Sequence, residues 1–286
     1  MNAPRSLAEL WTGVRHGLSI DDYHAMPGAS KSVLDSIAQS PAIAYARHID
    51  PNRPAPRERA GQLEGQLAHC AVLEPDEFGK RYAVGPGVST KAVKAWKEFE
   101  AALPAGVVGI KPEQYEVAMR QAESVRALPE IRDALAHGAA EVSAFWIDEA
   151  TGMQCRCRPD WVHDCGDAGV ILLDLKTYSD ASPAEFRRQV ARKRYHVQDA
   201  FYSDGYAAAS GLRVLGFVFV AVETEYPFAA SALMLDDIAK DTGRALYRRD
   251  LATYAECMRT AAWPGYSDQI EIISLPAWAT INHNEE

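Results

Sequence analysis

Asp160, Asp174 and Lys176 are the residues whose types and spacing could do chemistry. They sit in CRCRPDWVHDCGDAGVILLDLKT, residues 155–177, as Pro159-Asp160 and, after thirteen residues, Asp174-Leu175-Lys176. Side chains on a strand alternate faces. Over 153–161 one face collects Gln154, Arg156, Arg158 and Asp160, so Asp160 ends a polar face. Asp174 and Lys176 share a face while Leu173 and Leu175 point the other way. If the two segments pair as a hairpin, both carboxylates converge with the lysine beside them. Two carboxylates at one point repel unless a cation lies between them, and hard divalent ions favour carboxylate oxygen. A neighbouring ammonium then orients or helps deprotonate an attacking water, or offsets charge at a phosphodiester. The plain alternative is an exposed surface ion pair. The apolar setting ILLDL opposes it, because a carboxylate on a buried strand needs a reason.

The rest of the chain must position this pair. It has 286 residues, 48% hydrophobic and 24% charged, which is ordinary for a soluble globular protein. No apolar run approaches the ~20 residues of a membrane span. MNAPRSLAELWTGVRHG carries no secretion signal, and five cysteines are an odd number for a disulfide framework, so a cytoplasmic protein is expected. A net charge of −9 argues against a nonspecific nucleic-acid coat protein but not against an enzyme with a local basic stripe.

Residues 1–19 read as a flexible N-terminal extension and 20–286 as one domain. Helices are expected after Ser30 or Ser32 up to Pro41, over 57–73, over 91–103, and over 112–137 with a bend near Pro129. DPNRPAPRER is a linker or loop. Strands follow in EVSAFWID, MQCRCRPDW and VILLDLKT. One long helix is expected from the cap Ser182 to Gly211, then two strands, VLGFVFVAVE and FAASALML, and a last helix over 236–262. The order implies an α/β core behind a helical N-terminal part. In GQLEGQLAH, Gly61, Gly65 and His69 share a helix face. Mid-helix glycines suggest close approach of another backbone, pressing His69 toward the sheet. Tyr195, Gln198 and Tyr202 likewise share a face.

Pro159-Asp160…Asp174-Leu175-Lys176 matches the pattern PD-(D/E)XK. With its flanks YHAMPGASKSVL…SP, GQLEGQLAHCAVLEP, EVSAFW…TGMQCRCRPDW…LLDLKT, YHVQDAFY and ISLPAW, the chain resembles the RecE-type (exonuclease VIII-like) branch of the PD-(D/E)XK nucleases over about residues 20–280. The resemblance implies a restriction-endonuclease-like mixed β-sheet flanked by helices. It implies that His69, Asp160, Asp174 and the Leu175 carbonyl hold Mg²⁺, with Mn²⁺ as a substitute. It places Gln198 and Tyr202 at the scissile phosphate or its attacking water, and gives Glu141 a part in holding metal or orienting a strand end. The activity implied is 5′-to-3′ digestion of linear double-stranded DNA ends, leaving 3′ overhangs for DNA recombination, by a homo-oligomeric ring paired with a RecT-type annealing protein.

Arg187, Arg188, Arg192, Lys193 and Arg194 form a basic run, which is either a solvated face or a DNA phosphate track; Arg156 and Arg158 are further candidates. Cys155, Cys157 and Cys165 lack CxxC spacing, so reduced cysteines are expected rather than an iron–sulfur cluster. The rival readings are a Cas4-like or repair-associated nuclease acting on single-stranded ends, disfavoured by those cysteines, and a non-catalytic DNA-binding phage accessory protein, disfavoured by the intact Asp160, Asp174 and Lys176.

Overall fold

A computed structural model describes residues 11–55 and 60–276. Most of the predicted N-terminal extension, part of the proline-rich loop and the end of ISLPAW lie outside them.

VILLDL is apolar enough to be buried on both faces, and it becomes the middle of the main sheet. This sheet runs β10-β9-β8-β7-β4, with β4 Gly138–Ala140, β7 Trp161–Asp164, β8 Val170–Tyr178, β9 Val214–Glu223 and β10 Ala230–Leu233. The β8–β9 pair is parallel, and the other pairs are antiparallel. A second, antiparallel sheet joins β1 (Gly13–Arg15), β5 (Ser143–Ile147) and β6 (Gln154–Cys157). A small parallel pair, β2 (Tyr82–Val84) with β3 (Val108–Ile110), stands apart.

The alternation along β8 sends its side chains into two cores. Leu172 packs with Phe217, Phe219, Val197 and Phe201 on one side. Leu173 and Leu175 pack with Val220, Leu67, Ala71 and Val125 on the other. The first core is roofed by α10 (Tyr195–Ser210), which is backed by α11 (Asp237–Thr260). The second is roofed by α4 (Gln62–Leu73) and α7 (Pro112–Arg126). Short α1 (Ile20–Ala25), α2 (Lys31–Gln39), α3 (Pro41–Ala44), α5 (Pro75–Arg81), α6 (Lys94–Ala101) and α8 (Pro129–Leu135) complete the helical N-terminal part. The mixed, helix-flanked sheet is the α/β architecture expected.

Four boundaries differ from the sequence expectation. The chain is held well before residue 19, because β1 pairs with β5, Gly13 facing Phe145. The segment 153–161 is not one strand: β6 and β7 belong to different sheets, and Pro159, which cannot donate to a ladder, lies in the step between them. The helix expected from Ser182 to Gly211 breaks at Arg194, in the left-handed region at φ 55, into α9 (Pro183–Lys193) and α10. Gly61 is not mid-helix: it caps α4 at φ 78, and a Cβ there would meet nothing. Gly65 faces Thr177 at an ordinary 4.0 Å, so neither glycine marks a forced backbone contact.

The close contact is elsewhere. A Cβ on Gly243 of α11 would lie 1.9 Å from the His196 carbonyl of α10. Gly243→Ala is therefore expected to cost at least about 2 kcal/mol. Gly79→Ala, in the open on α5, stays neutral or gains up to about 1 kcal/mol. Paired denaturant unfolding curves check this. Asp199 on α10 is buried with one carboxylate oxygen unbonded, and burial lifts it to about 6 against Lys240 and its bond from Ser203. An acid raised in the fold destabilises progressively as pH rises past its unfolded pKa, and in full above its folded pKa. Asp199→Asn should thus be more stable by about 1–3 kcal/mol at pH 7.5, with the advantage vanishing as pH falls through 6 to 4.

Candidate active site

Asp160 occupies the step where the chain leaves the small sheet for the large one. Its Oδ2 accepts the Leu175 N–H at 2.7 Å, and its carbonyl accepts the Glu141 N–H at 2.9 Å. It is thereby tied to β8 and to the β4–β5 link together. The pairing of Trp161 with Leu173 sets Asp160 beside Asp174. Burial and the Asp174 charge hold the Asp160 carboxyl well above the usual carboxylate range, against Lys176 and the Leu175 N–H.

Asp174 is 2% exposed, on the α10 side of β8. Its Oδ1 accepts the Gln198 amide at 2.5 Å. Its Oδ2 forms an ion pair with Lys176. Burial alone would lower the Lys176 ammonium; the Asp174 and Asp160 charges and the hydrogen bond to Asp174 outweigh it and leave it raised. The ammonium also lies 5.1 Å from the centre of the Tyr195 ring, whose hydroxyl shares a hydrogen bond with Tyr178.

His69 projects from α4 onto the other side of Asp160, its Nδ1 3.6 Å from Oδ2, and onto the Leu175 carbonyl. Burial and Lys176 push its imidazole down to about 4, so it is neutral at pH 7 and able to offer a lone pair. Glu141 enters from the β4–β5 link at φ 53, a backbone region that disfavours a side chain. One ligand atom each from His69, Glu141 and Asp160 lie within 4.8 Å of one another. Burial raises the Glu141 carboxyl although Arg158 bonds it at 2.6 Å. Tyr202 is partly buried against Phe201 and Phe217, with Asp174 and Asp160 in its electrostatic surroundings; burial holds its phenol well above its ordinary value.

Three carboxylates thus face two cations, Lys176 and Arg158. The Asp160 carboxyl, raised by burial and by the Asp174 charge beside it, registers the crowding of negative charge. This donor set fits a hard divalent cation.

The basic candidates divide. Arg187, Arg188, Arg192 and Lys193 are exposed on α9, with Arg188 paired to Glu185 at 2.8 Å. Arg194 turns inward to Asp250, Asp35 and the Leu34 carbonyl. Arg156 stacks 4.8 Å over Tyr23 and donates to the Tyr23 and Met26 carbonyls, while Arg158 also reaches the Leu18 carbonyl at 2.9 Å. These three guanidiniums are already engaged within the fold. Sequence reading missed Lys31, which bonds Asp35 at 2.6 Å and the Lys193 carbonyl at 2.8 Å, and whose ammonium lies 5.8 Å from the centre of the same Tyr195 ring. Its only local signal is the Lys31–Asp35 spacing. All five cysteines are free thiols.

The family model for a PDDEXK-like domain of unknown function (DUF3799) matches residues 30–276. The chain belongs to this family. The PDDEXK-like domain has a structural counterpart in a provisionally named exonuclease from Eubacterium rectale, with a TM-score of 0.55 over 91% of this chain and 97% of that one. At 10% identity the likeness is one of fold, and it agrees with the PDDEXK-like domain that the family model assigns to residues 30–276. The structure of SSO0001 aligns with 49% of this chain and 66% of its own at 15% identity, and its TM-score of 0.27 adds nothing to that. No curated protein matches the sequence.

If the site takes a divalent cation, Mg²⁺ or Mn²⁺ will raise the melting temperature of the wild type. A hundredfold excess over Kd corresponds to about 2.7 kcal/mol. Differential scanning fluorimetry with Asp160→Asn and Asp174→Asn checks it: both variants should lose most of the shift.

Proposed function

We propose that this PDDEXK-like domain is a metal-dependent deoxyribonuclease that digests linear double-stranded DNA from its 5′ ends and leaves 3′ overhangs for recombination. The observation that carries the reading is the carboxylate cluster of Asp160, Asp174 and Glu141, set against a neutral His69 with a protonated Lys176 in its midst. Storage of an exposed ion pair needs none of these features. His69, Asp160, Asp174 and the Leu175 carbonyl, with Glu141, would hold Mg²⁺ or Mn²⁺. Such a cation supplies Lewis-acid stabilisation of charge on the phosphate and its leaving oxygen.

The chain's own groups divide the remaining work. Lys176, kept charged by Asp174 and Asp160, presents a fixed positive charge to the non-bridging oxygens as charge builds there. Gln198 fixes the orientation of Asp174. Tyr202 remains a phenol and donates a hydrogen bond toward phosphate. Arg158 holds Glu141 in its strained backbone position. The exposed cations of α9 supply sequence-independent phosphate contacts, so binding weakens steeply with salt. The 5′ polarity, the ring-shaped assembly and a RecT-type partner rest on the motif resemblance.

Linear duplex labelled at either the 5′ or the 3′ end, incubated with Mg²⁺, tests this. Early release of 5′ label is expected, with Asp174→Ala and Lys176→Ala each slower by at least about 10²-fold. Digestion confined to single-stranded ends would favour the Cas4-like reading. No digestion by folded wild type would favour the accessory role.

A further inference from the structure

An exposed aromatic side chain standing alone is ordinary on a protein surface. Tyr226 differs in how it is held and where. It is 88% exposed, at the tip of the turn 224–229 between β9 and β10. The backbone beneath it is braced. The Thr224 N–H donates to the Tyr178 carbonyl at 2.8 Å, the Glu223 N–H to the Ala229 carbonyl at 2.9 Å, and the Phe228 N–H to the Glu225 carbonyl at 2.7 Å. The Gln121 amide of α7 donates to the Glu223 carbonyl at 2.9 Å, and the Glu223 side chain accepts the Ala181 N–H at 3.3 Å. The Ser231 hydroxyl donates to the Ala181 carbonyl at 2.6 Å. A phenol ring is thus presented to solvent on a turn with little freedom to withdraw it.

The turn stands beside the carboxylate site. β8 and β9 are the parallel pair of the main sheet and end together, Tyr178 facing Glu223. Ligands settle beyond the carboxyl ends of parallel strands. Lys176 lies two residues before that end on β8, and Tyr226 three residues past it on the chain that leaves β9. At ~3.3 Å per residue the two are within about 20 Å of each other. Two helices flank the same space. α9, with its exposed arginines, begins just past β8 on the Asp174 side of the sheet. On the His69 side, Val125 of α7 packs with Leu173 and Leu175 and Gln121 reaches Glu223, so the first turns of α7 extend beyond the strand ends.

The charge at the tip narrows what it can meet. Glu225 beside the ring and Asp180 on the β8–α9 link are both exposed, and they repel a phosphate backbone. An uncharged aromatic face suits the ring instead. Inside a duplex each base face is covered by its neighbour, whereas an end or an unpaired base offers its face for stacking on tyrosine.

We propose that Tyr226 stacks on the exposed face of a base at the DNA end held in the carboxylate site, so that it positions the end and distinguishes ends from duplex interior. The inference rests on the nuclease reading and extends it to a substrate contact outside the PD-(D/E)XK residues.

Fluorescence anisotropy with a short blunt duplex carrying an internal fluorophore, in Ca²⁺ with Mg²⁺ withheld, tests it on the full chain. A covalently closed minicircle of the same sequence is the control without ends. Tyr226→Ala is expected to weaken binding to the open duplex about tenfold, the loss of one base stack, and to bind the minicircle as wild type does. Tyr226→Phe keeps the ring and should bind both as wild type does. The slope of log Kd against log salt should be the same in all three, because no phosphate contact is removed. Circular dichroism verifies folding. Equal affinity of wild type and Tyr226→Ala for the open duplex, an equal loss on duplex and minicircle, or a Tyr226→Phe as weak as Tyr226→Ala would each overturn the proposal while leaving the nuclease reading in place. A folded wild type that binds neither DNA would overturn both.

Discussion

Three carboxylates cannot share a poorly hydrated site unless positive charge lies among them, and the architecture around Asp160 is organised by that constraint. Asp160 is held on one side by the Leu175 N–H and on the other by the Glu141 N–H, so it cannot swing into solvent. Asp174 is fixed by Gln198 and Lys176. Glu141 is fixed by Arg158. The molecule keeps these groups together in a state of charge deficit, a cost that protein folds accept chiefly where a ligand redeems it.

The scaffold explains how that state survives. β8 is buried on both faces, and its neighbours β7 and β9 leave it no freedom to slip register. α10 reaches the site only because the helical run breaks at Arg194. The left-handed conformation there is sustained by ion pairs to Asp35 of α2 and Asp250 of α11. Lys31 adds a bond from α2 to the carbonyl that ends α9. Arg156 and Arg158 bring α1 and its flanks against the step that carries Asp160. Charges that look on paper like a phosphate track are in these cases the braces of the site.

What was legible in the sequence was what depends on local alternation. The faces of Asp174 and Leu175, the hairpin between Asp160 and Asp174, and the helical face of Gln198 and Tyr202 follow from periods of two and 3.6. What was illegible depends on contacts distant in the chain. QCRCRPDW keeps one alternation across a change of sheet, so only Pro159 hints at the break. RKR contains neither glycine nor proline, and Arg194 is left-handed because two distant aspartates hold it there. Gly61 and Gly65 read as a close-approach motif, yet the tight contact is at Gly243, whose partner lies forty-odd residues upstream on another helix. Arg156 reads as exposed by its strand face, but the carbonyls of α1 claim it.

The most direct test of the charge-deficit site is a crystal of the wild type grown with Mn²⁺, measured at a wavelength where manganese scatters anomalously. An anomalous peak is expected, bounded by Asp160, Asp174, His69 and the Leu175 carbonyl, with Glu141 in or next to the coordination shell. An empty site at saturating Mn²⁺, with Lys176 still paired to Asp174, would contradict it.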